Sequence, residues 1–180
     1  LLYMAGDNGK QGFFEGREWR TPQRYNYLAV IPGYWLGFGP DSVAIFEPGG
    51  KLLRTLHLPG ATCGQPNWLY SRSKTDSAYH LQKGWIKLPK GVKYVNDCRG
   101  YLQLTTTRFT YSLMDENGGM FLEDSEDPFS DGFSANPYLL YKKQGRYGWK
   151  MIDGSHIESP QYDKIPQLML GALVVQQNLS

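Results

Sequence analysis

The chain has 180 residues, 41% apolar and 20% charged, with a mean hydropathy of −0.49. That is enough apolar material for a sizeable core; it excludes wholesale disorder and fits one domain or a short repeat array rather than two large domains. Lys and Arg number 19 against 17 Asp and Glu, a net charge of +2 without the basic excess of a dedicated nucleic-acid binder, and the longest apolar run, Leu168 to Val175, falls short of the roughly 20 residues a membrane helix needs.

Gly and Pro together number 32, about 18% of the chain against an ordinary ~12%, and they cut it into short pieces. The pieces read as strands of four to seven residues. The first runs through Gly12-Phe13-Phe14 into Glu15-Gly16, where glycine supplies the positive φ of a tight turn, and returns through Trp19 towards Pro22 and Tyr25. Val43-Ala44-Ile45-Phe46 closes on Glu47-Pro48-Gly49-Gly50. Leu52, Leu56 and Leu58 then alternate with Leu53, Thr55 and His57, the period-two rhythm of a half-buried strand. Lys74 to Gln82, capped by Ser73 and free of Gly and Pro, predicts one short helix. Gly84-Trp85-Ile86-Lys87-Leu88 is again a strand, ended by Pro89-Lys90-Gly91. From Arg108 to Met114, Phe109, Tyr111 and Leu113 share one face and Arg108, Thr110 and Ser112 the other; the β-branched and aromatic run Thr105 to Tyr111 favours a strand there, closed by Asp115-Glu116-Asn117-Gly118. The expectation is an all-β fold: an array of stacked β-hairpin repeats, open or curled, propeller-like or solenoid-like, with at most one short helix.

Two segments 136 residues apart can be laid over each other. Gly9-Lys10-Gln11-Gly12-Phe13-Phe14, then Glu15-Gly16, leads to Pro22 and Tyr25; Gly145-Arg146-Tyr147-Gly148-Trp149-Lys150-Met151-Ile152, then Asp153-Gly154, leads to Pro160 and Tyr162. The closing segment, with Pro160-Gln161-Tyr162-Asp163-Lys164-Ile165, resembles the bacterial WG-repeat family, whose units read as glycine, a basic residue, Trp-Gly, an apolar strand, Asp-Gly and Pro-x-Tyr-Asp. Tyr147 and Gln11 stand where that family has Trp. The resemblance implies one repeat domain over residues 1–180, clearest over 9–28 and 108–165 and divergent or inserted over 59–107. It further implies stacked hairpin units and a binding or scaffolding role, with no catalytic residues. Tyr111 to Met120 also resembles, in one copy, choline-binding cell-wall repeats.

Five Trp and 13 Tyr are more amphipathic rings than a core of this size usually needs, and exposed rings serve as binding platforms. Trp19, Tyr34, Trp35, Trp68 and Trp85 lie beside glycine, proline or polar residues and are the candidate binding residues; Trp19, Trp85 and Trp149 also read as staples packing one hairpin on the next. Cys63 and Cys98 can form one disulfide, closing a loop of about 35 residues and contributing roughly 3 to 4 kcal/mol in an oxidising compartment. His57 or His80 with Cys63 could form a nucleophilic dyad, and His57, Cys63, His80 and Cys98 a zinc site, but neither arrangement has a recognised spacing, so no catalytic residue, metal or cofactor is assigned. Asp115 to Asp131 holds seven acids and no Lys or Arg, leaving +9 for the rest; it reads as a solvated loop, a weak calcium site or a docking surface for a basic partner. The abundance of Tyr and Trp and the presence of exactly two cysteines suit a periplasmic or secreted protein, with a cytoplasmic one the alternative. The function expected is a non-enzymatic module that recognises another protein through aromatic and charged loops. The alternatives are a carbohydrate or cell-wall binder and a hydrolase framed by the repeats.

Overall fold

The structure is a computed structural model that describes residues 2–6, 9–64, 67–72, 75–129, 137–165, 167–169 and 172–174. Among these the chain is all-β, with twenty strands and no α-helix. Every sheet is a run of consecutive antiparallel strands. β1 (Leu2–Ala5), β2 (Gly12–Glu15) and β3 (Glu18–Trp19) form the first; β4 (Tyr27–Ile31), β5 (Tyr34–Phe38), β6 (Ser42–Phe46) and β7 (Leu52–His57) the second. β8 (Ala61–Gly64), β9 (Trp68–Ser71), β10 (Ser77–His80) and β11 (Gly84–Lys87) form the third, and β12 (Val92–Cys98), β13 (Tyr101–Thr106), β14 (Tyr111–Met114) and β15 (Met120–Ser125) the fourth. β16 (Tyr138–Lys143), β17 (Arg146–Met151) and β18 (Ile157–Tyr162) follow, then a hairpin of β19 (Gln167–Met169) and β20 (Ala172–Val174).

The chain divides into two compact units, Leu1–Lys90 with Tyr94–Asn96, and Gly91–Lys93 with Asp97–Ser180. In the first unit the central strands of the β4–β7 sheet, β5 and β6, are covered on both faces. Leu36, Phe38, Val43, Ile45 and Leu56 on one face pack with Leu69 and Tyr79 of the third sheet and with Leu81 in the turn after β10. Trp35, Ala44 and Phe46 on the other pack with Phe13 and Tyr25, the Phe13 and Trp35 rings 5.0 Å apart. With no face left in water, β5 and β6 lose the apolar–polar alternation of a half-buried strand and read as continuous runs, Tyr-Trp-Leu-Gly-Phe and Ser-Val-Ala-Ile-Phe. In the second unit Leu113 and Leu122 pair across β14 and β15 and pack with Cys98, Phe129, Leu139 and Tyr141.

The opening and closing segments share their hairpin. Gly16 and Gly154 take φ of 69° and 75° in the two acid–glycine turns, as the tight reversal requires. In the opening copy Phe14 pairs with Trp19 and Gln11 bridges Tyr25; in the closing copy Trp149 pairs with Glu158 and Tyr147 with Tyr162. Each second arm therefore spends more residues than its partner between the two matched positions, and the detour contains the proline. Gly12 and Gly148 face that detour: a Cβ on Gly12 would lie 3.0 Å from the Thr21 carbonyl oxygen, and one on Gly148 only 2.5 Å from that of Glu158 and 3.0 Å from Pro160 N. Glycine at this position lets the bulged arm close onto the strand. The intermediate copies also form strands closed by glycine turns, at Glu47–Lys51, where Gly50 N donates to the Glu47 carbonyl, and at Asp115–Gly119.

Three expectations are corrected. Ser73 and Lys74 lie outside the described residues, and the segment expected to be helical contains β10 instead: Tyr79 pairs with Leu69 on one side and Trp85 on the other, and Ala78, Tyr79 and His80 are all buried, which leaves no polar face for a helix. The strand expected from Arg108 begins only at Tyr111, because the Thr106 hydroxyl accepts bonds from the amides of Arg108 and Thr110 and turns the chain at Phe109, φ 58°. Leu52 is exposed, since the pairing of β6 with β7 shifts between Ile45–Arg54 and Phe46–Leu52 on a sheet edge; Leu56 and Leu58 are buried as the alternation demands.

Candidate protein-binding surfaces

The five candidate rings do not share a fate. Trp35 and Trp68 are buried and correct the expectation of binding platforms: Trp35 sits on the doubly covered β5, and Trp68 packs edge-on against the buried His80 ring at 5.0 Å. Tyr34 is half-buried beside the first unit's core. Trp19 and Trp85 remain 43% and 48% exposed. Trp19 also meets Phe14 edge-on at 5.2 Å, which makes it part staple and part surface, and Trp149, half-buried, stacks on Tyr162 at 5.2 Å.

No disulfide joins Cys63 and Cys98. Each lies in the packing of its own unit, Cys63 beside the β4–β7 core and Cys98 within the Leu113 cluster. Tyr27 stacks on Phe38 at 4.1 Å and donates to the Ala61 carbonyl at 2.8 Å; burial, with Cys63 nearby, pushes its phenol up to about 12 despite the Thr62 hydroxyl. His57 is exposed on β7 while His80 is buried, and among the described residues no three His, Cys, Asp or Glu groups gather as a metal site.

Most acids of the acidic stretch are exposed, yet two of them, Glu126 and Asp127, are engaged by the neighbouring hairpin; Asp131 lies outside the described residues. The Glu126 carboxylate accepts the Gly145 amide at 3.0 Å, and the Glu126 amide donates to the Lys142 carbonyl at 2.8 Å. Asp127 takes the Tyr147 hydroxyl at 3.2 Å and pairs with Lys142 at 3.6 Å, which raises the Lys142 ammonium above its ordinary range, with the Tyr147 phenol adding to the effect. Ser125 receives the Lys142 amide and donates to the Asp127 carbonyl. These carboxylates clasp the β16–β17 hairpin, so oxygens counted as calcium ligands in the sequence already hold protein donors.

Beside the clasp lies a cleft of about 730 Å³ lined by Thr110, Asp124, Glu126, Lys143, Gln144 and Arg146, with Pro160 at its margin. The tight Gln144-Gly145 turn, φ 51° and 76°, sets Lys143 directly across from Arg146. Like charges so placed repel. Neither cation makes an ion pair within 4.0 Å among the described residues, nor does Asp124. Next to Thr110 stands Phe109, 60% exposed, its ring 5.1 Å from the Lys93 ammonium. A phenylalanine in left-handed backbone conformation at a hairpin tip is rare, since glycine or asparagine fits there without strain. A smaller, more apolar cavity of about 270 Å³ lies near Asp127, Leu140, Tyr141 and Tyr147. Among the described residues no histidine or cysteine lines either cavity.

In the first unit, Arg54 of β7 donates from Nη1 to the Tyr79 hydroxyl at 2.5 Å, with its guanidinium carbon 5.9 Å from the ring. Tyr79 meets Trp85 edge-on at 5.3 Å, its register partner on β11. The sequence reading missed Phe109, Lys143, Arg146 and Arg54. Lys143-Gln144-Gly145-Arg146 does carry a signal, a two-residue hairpin loop that must set its flanking cations side by side. Nothing in the sequence points to Arg54, whose partner is 25 residues away.

No family model and no curated protein matches the chain. Among solved structures it is similar to Kluyveromyces lactis Hsv2 with complete loop 6CD, at 15% identity over 82% of this chain and 48% of that one, with a TM-score of 0.36. It is also similar to the computationally designed Ika4 protein (12% identity, 73% and 86% covered, TM-score 0.36) and to the Neurospora crassa Pan2 WD40 domain (12%, 89% and 62%, TM-score 0.34). The chain spans about half the length of the Hsv2 structure (48%). Among the described residues no helix is long and apolar enough to cross a membrane.

Proposed function

We propose that this chain is a non-enzymatic binding module that recognises another protein through the second unit's cleft, with Phe109 as the apolar anchor and Lys143 and Arg146 as the charged contacts. The observation that carries this reading is an exposed, backbone-strained aromatic ring next to a cleft whose facing cations have no ion-pair partner among the described residues. Such a mixture of one ring and several separate charges suits a protein surface, where an anchor residue is surrounded by polar contacts. A glycan platform is better served by rings in a row, and in the first unit Trp19 and Trp85 lie on different sheets. The matched detours opposite Gly12 and Gly148 support a WG-repeat-like architecture.

The test is affinity capture from the source organism with the intact chain, beside Phe109→Asp and a Lys143→Glu/Arg146→Glu double variant, followed by a glycan array. One protein retained by the wild type and lost from both variants is the expected result. Retention by both variants, or glycan binding that competes with the captured protein, would overturn the reading.

A further inference from the structure

The first unit carries a second surface, independent of the cleft. Its eleven Lys and Arg outnumber its six Asp and Glu, a balance of +5. Among the described residues Arg20 pairs with Glu15 and Glu18 and Lys51 with Glu47, while Arg54, Lys87 and Lys90 have no carboxylate within 4.0 Å. Lys87 lies two residues along β11 from Trp85, on the face where Arg54 meets Tyr79. Tyr79, Trp85, Ser77 and Lys87 share a face of the third sheet through the pairs Tyr79–Trp85 and Ser77–Lys87, and Arg54 is held over Tyr79 from β7. The Tyr79 contact fixes the guanidinium but leaves most of its donors open.

β11 is also a terminal strand, in the order β11-β10-β9-β8. Leu88 N donates inward to the Asp76 carbonyl, so by antiparallel alternation Gly84 and Ile86 also face β10, while the backbone groups of Trp85 and Lys87 face away from it. Edge strands invite pairing, and lysine at an edge discourages it for a neutral or basic segment. For an acidic segment the same lysine is an attraction. We propose that the outer edge of β11 docks an extended acidic segment of another protein, which adds to the sheet as a fifth strand with an apolar side chain against Trp85 and carboxylates on Arg54 and Lys87. Main-chain bonds would supply affinity and these side chains the specificity.

The experiment selects binders to the intact chain from a displayed library of random twelve-residue peptides and maps the best one by hydrogen exchange. The proposal expects peptides enriched in Asp and Glu with an aromatic or aliphatic residue between them, protection of the Trp85 and Lys87 amides, and affinity that falls at least tenfold in both Trp85→Ala and Arg54→Glu/Lys87→Glu. Lys143→Glu/Arg146→Glu should leave this binding unchanged, which separates the outcome from that of the cleft. Peptides without acidic bias, no binders at all, undiminished affinity in Arg54→Glu/Lys87→Glu, or protection of those two amides in a peptide-free dimer of the chain would each overturn it.

Discussion

Replacing Phe109 with asparagine should remove recognition while leaving stability almost untouched. The left-handed conformation at φ 58° costs a non-glycine residue roughly 1–2 kcal/mol, and asparagine relieves much of that strain through its tolerance of the region. Against this stands the loss of an exposed cation–π contact with Lys93, worth about 0.5–1 kcal/mol. The ring is 60% exposed, so its remaining burial contributes on the order of 1 kcal/mol, a fraction of the ~1.5–3 kcal/mol of a fully buried side chain. The opposing effects nearly cancel, and the net change should lie within about 0.5 kcal/mol of zero. Phe13, fully buried between Trp35 and Phe46, supplies the contrast: its alanine variant should lose about 3–5 kcal/mol. Urea unfolding of the three proteins, followed by Trp fluorescence, measures both. A Phe109→Asn variant destabilised by more than about 2 kcal/mol would show that the ring is a packing element and refute its assignment as a displayed anchor.

The two repeat glycines should differ in the cost of a methyl group. Gly148→Ala, which places Cβ 2.5 Å from the Glu158 carbonyl oxygen, should destabilise by ~2 kcal/mol or more, and Gly12→Ala, with contacts from 3.0 Å, by less; equal effects in thermal melts would contradict the shared-bulge geometry. Tyr27 should titrate near pH 12 by ultraviolet absorbance, since burial first and Cys63 second oppose its ionisation. A folded phenol pKa above the unfolded value of about 10 stabilises fully below pH 10 and loses that contribution as pH rises through 12, so wild type should lose roughly 1–2 kcal/mol more than Tyr27→Phe across that window, the shift being discounted for partial exposure. Equal pH dependence of the two would refute it.

Strand identity was legible where a strand is short and ends in a glycine turn, as at Val43–Gly50 and Gly145–Gly154, because local turn chemistry decides those segments. The tryptophans were not. Trp35 and Trp85 have similar polar and glycine neighbours in the sequence, yet one sits on a strand covered on both faces and the other on a sheet edge, a difference made by sheet order. Ser77–His80 misled for a related reason: a central strand between two others shows no alternation to mark it. The acidic stretch was visible as charge, while its use depends on the Gly145 amide and Tyr147 hydroxyl, which the β16–β17 hairpin brings to it.

The most direct measurement replaces Phe109 with a photo-reactive benzoylphenylalanine and irradiates the protein in its source cells, beside the same probe at the exposed Ile157 of the second unit. The account predicts one protein cross-linked from position 109, absent from position 157 and suppressed by Lys143→Glu/Arg146→Glu. Identical adducts from both positions, or none from 109, would contradict it.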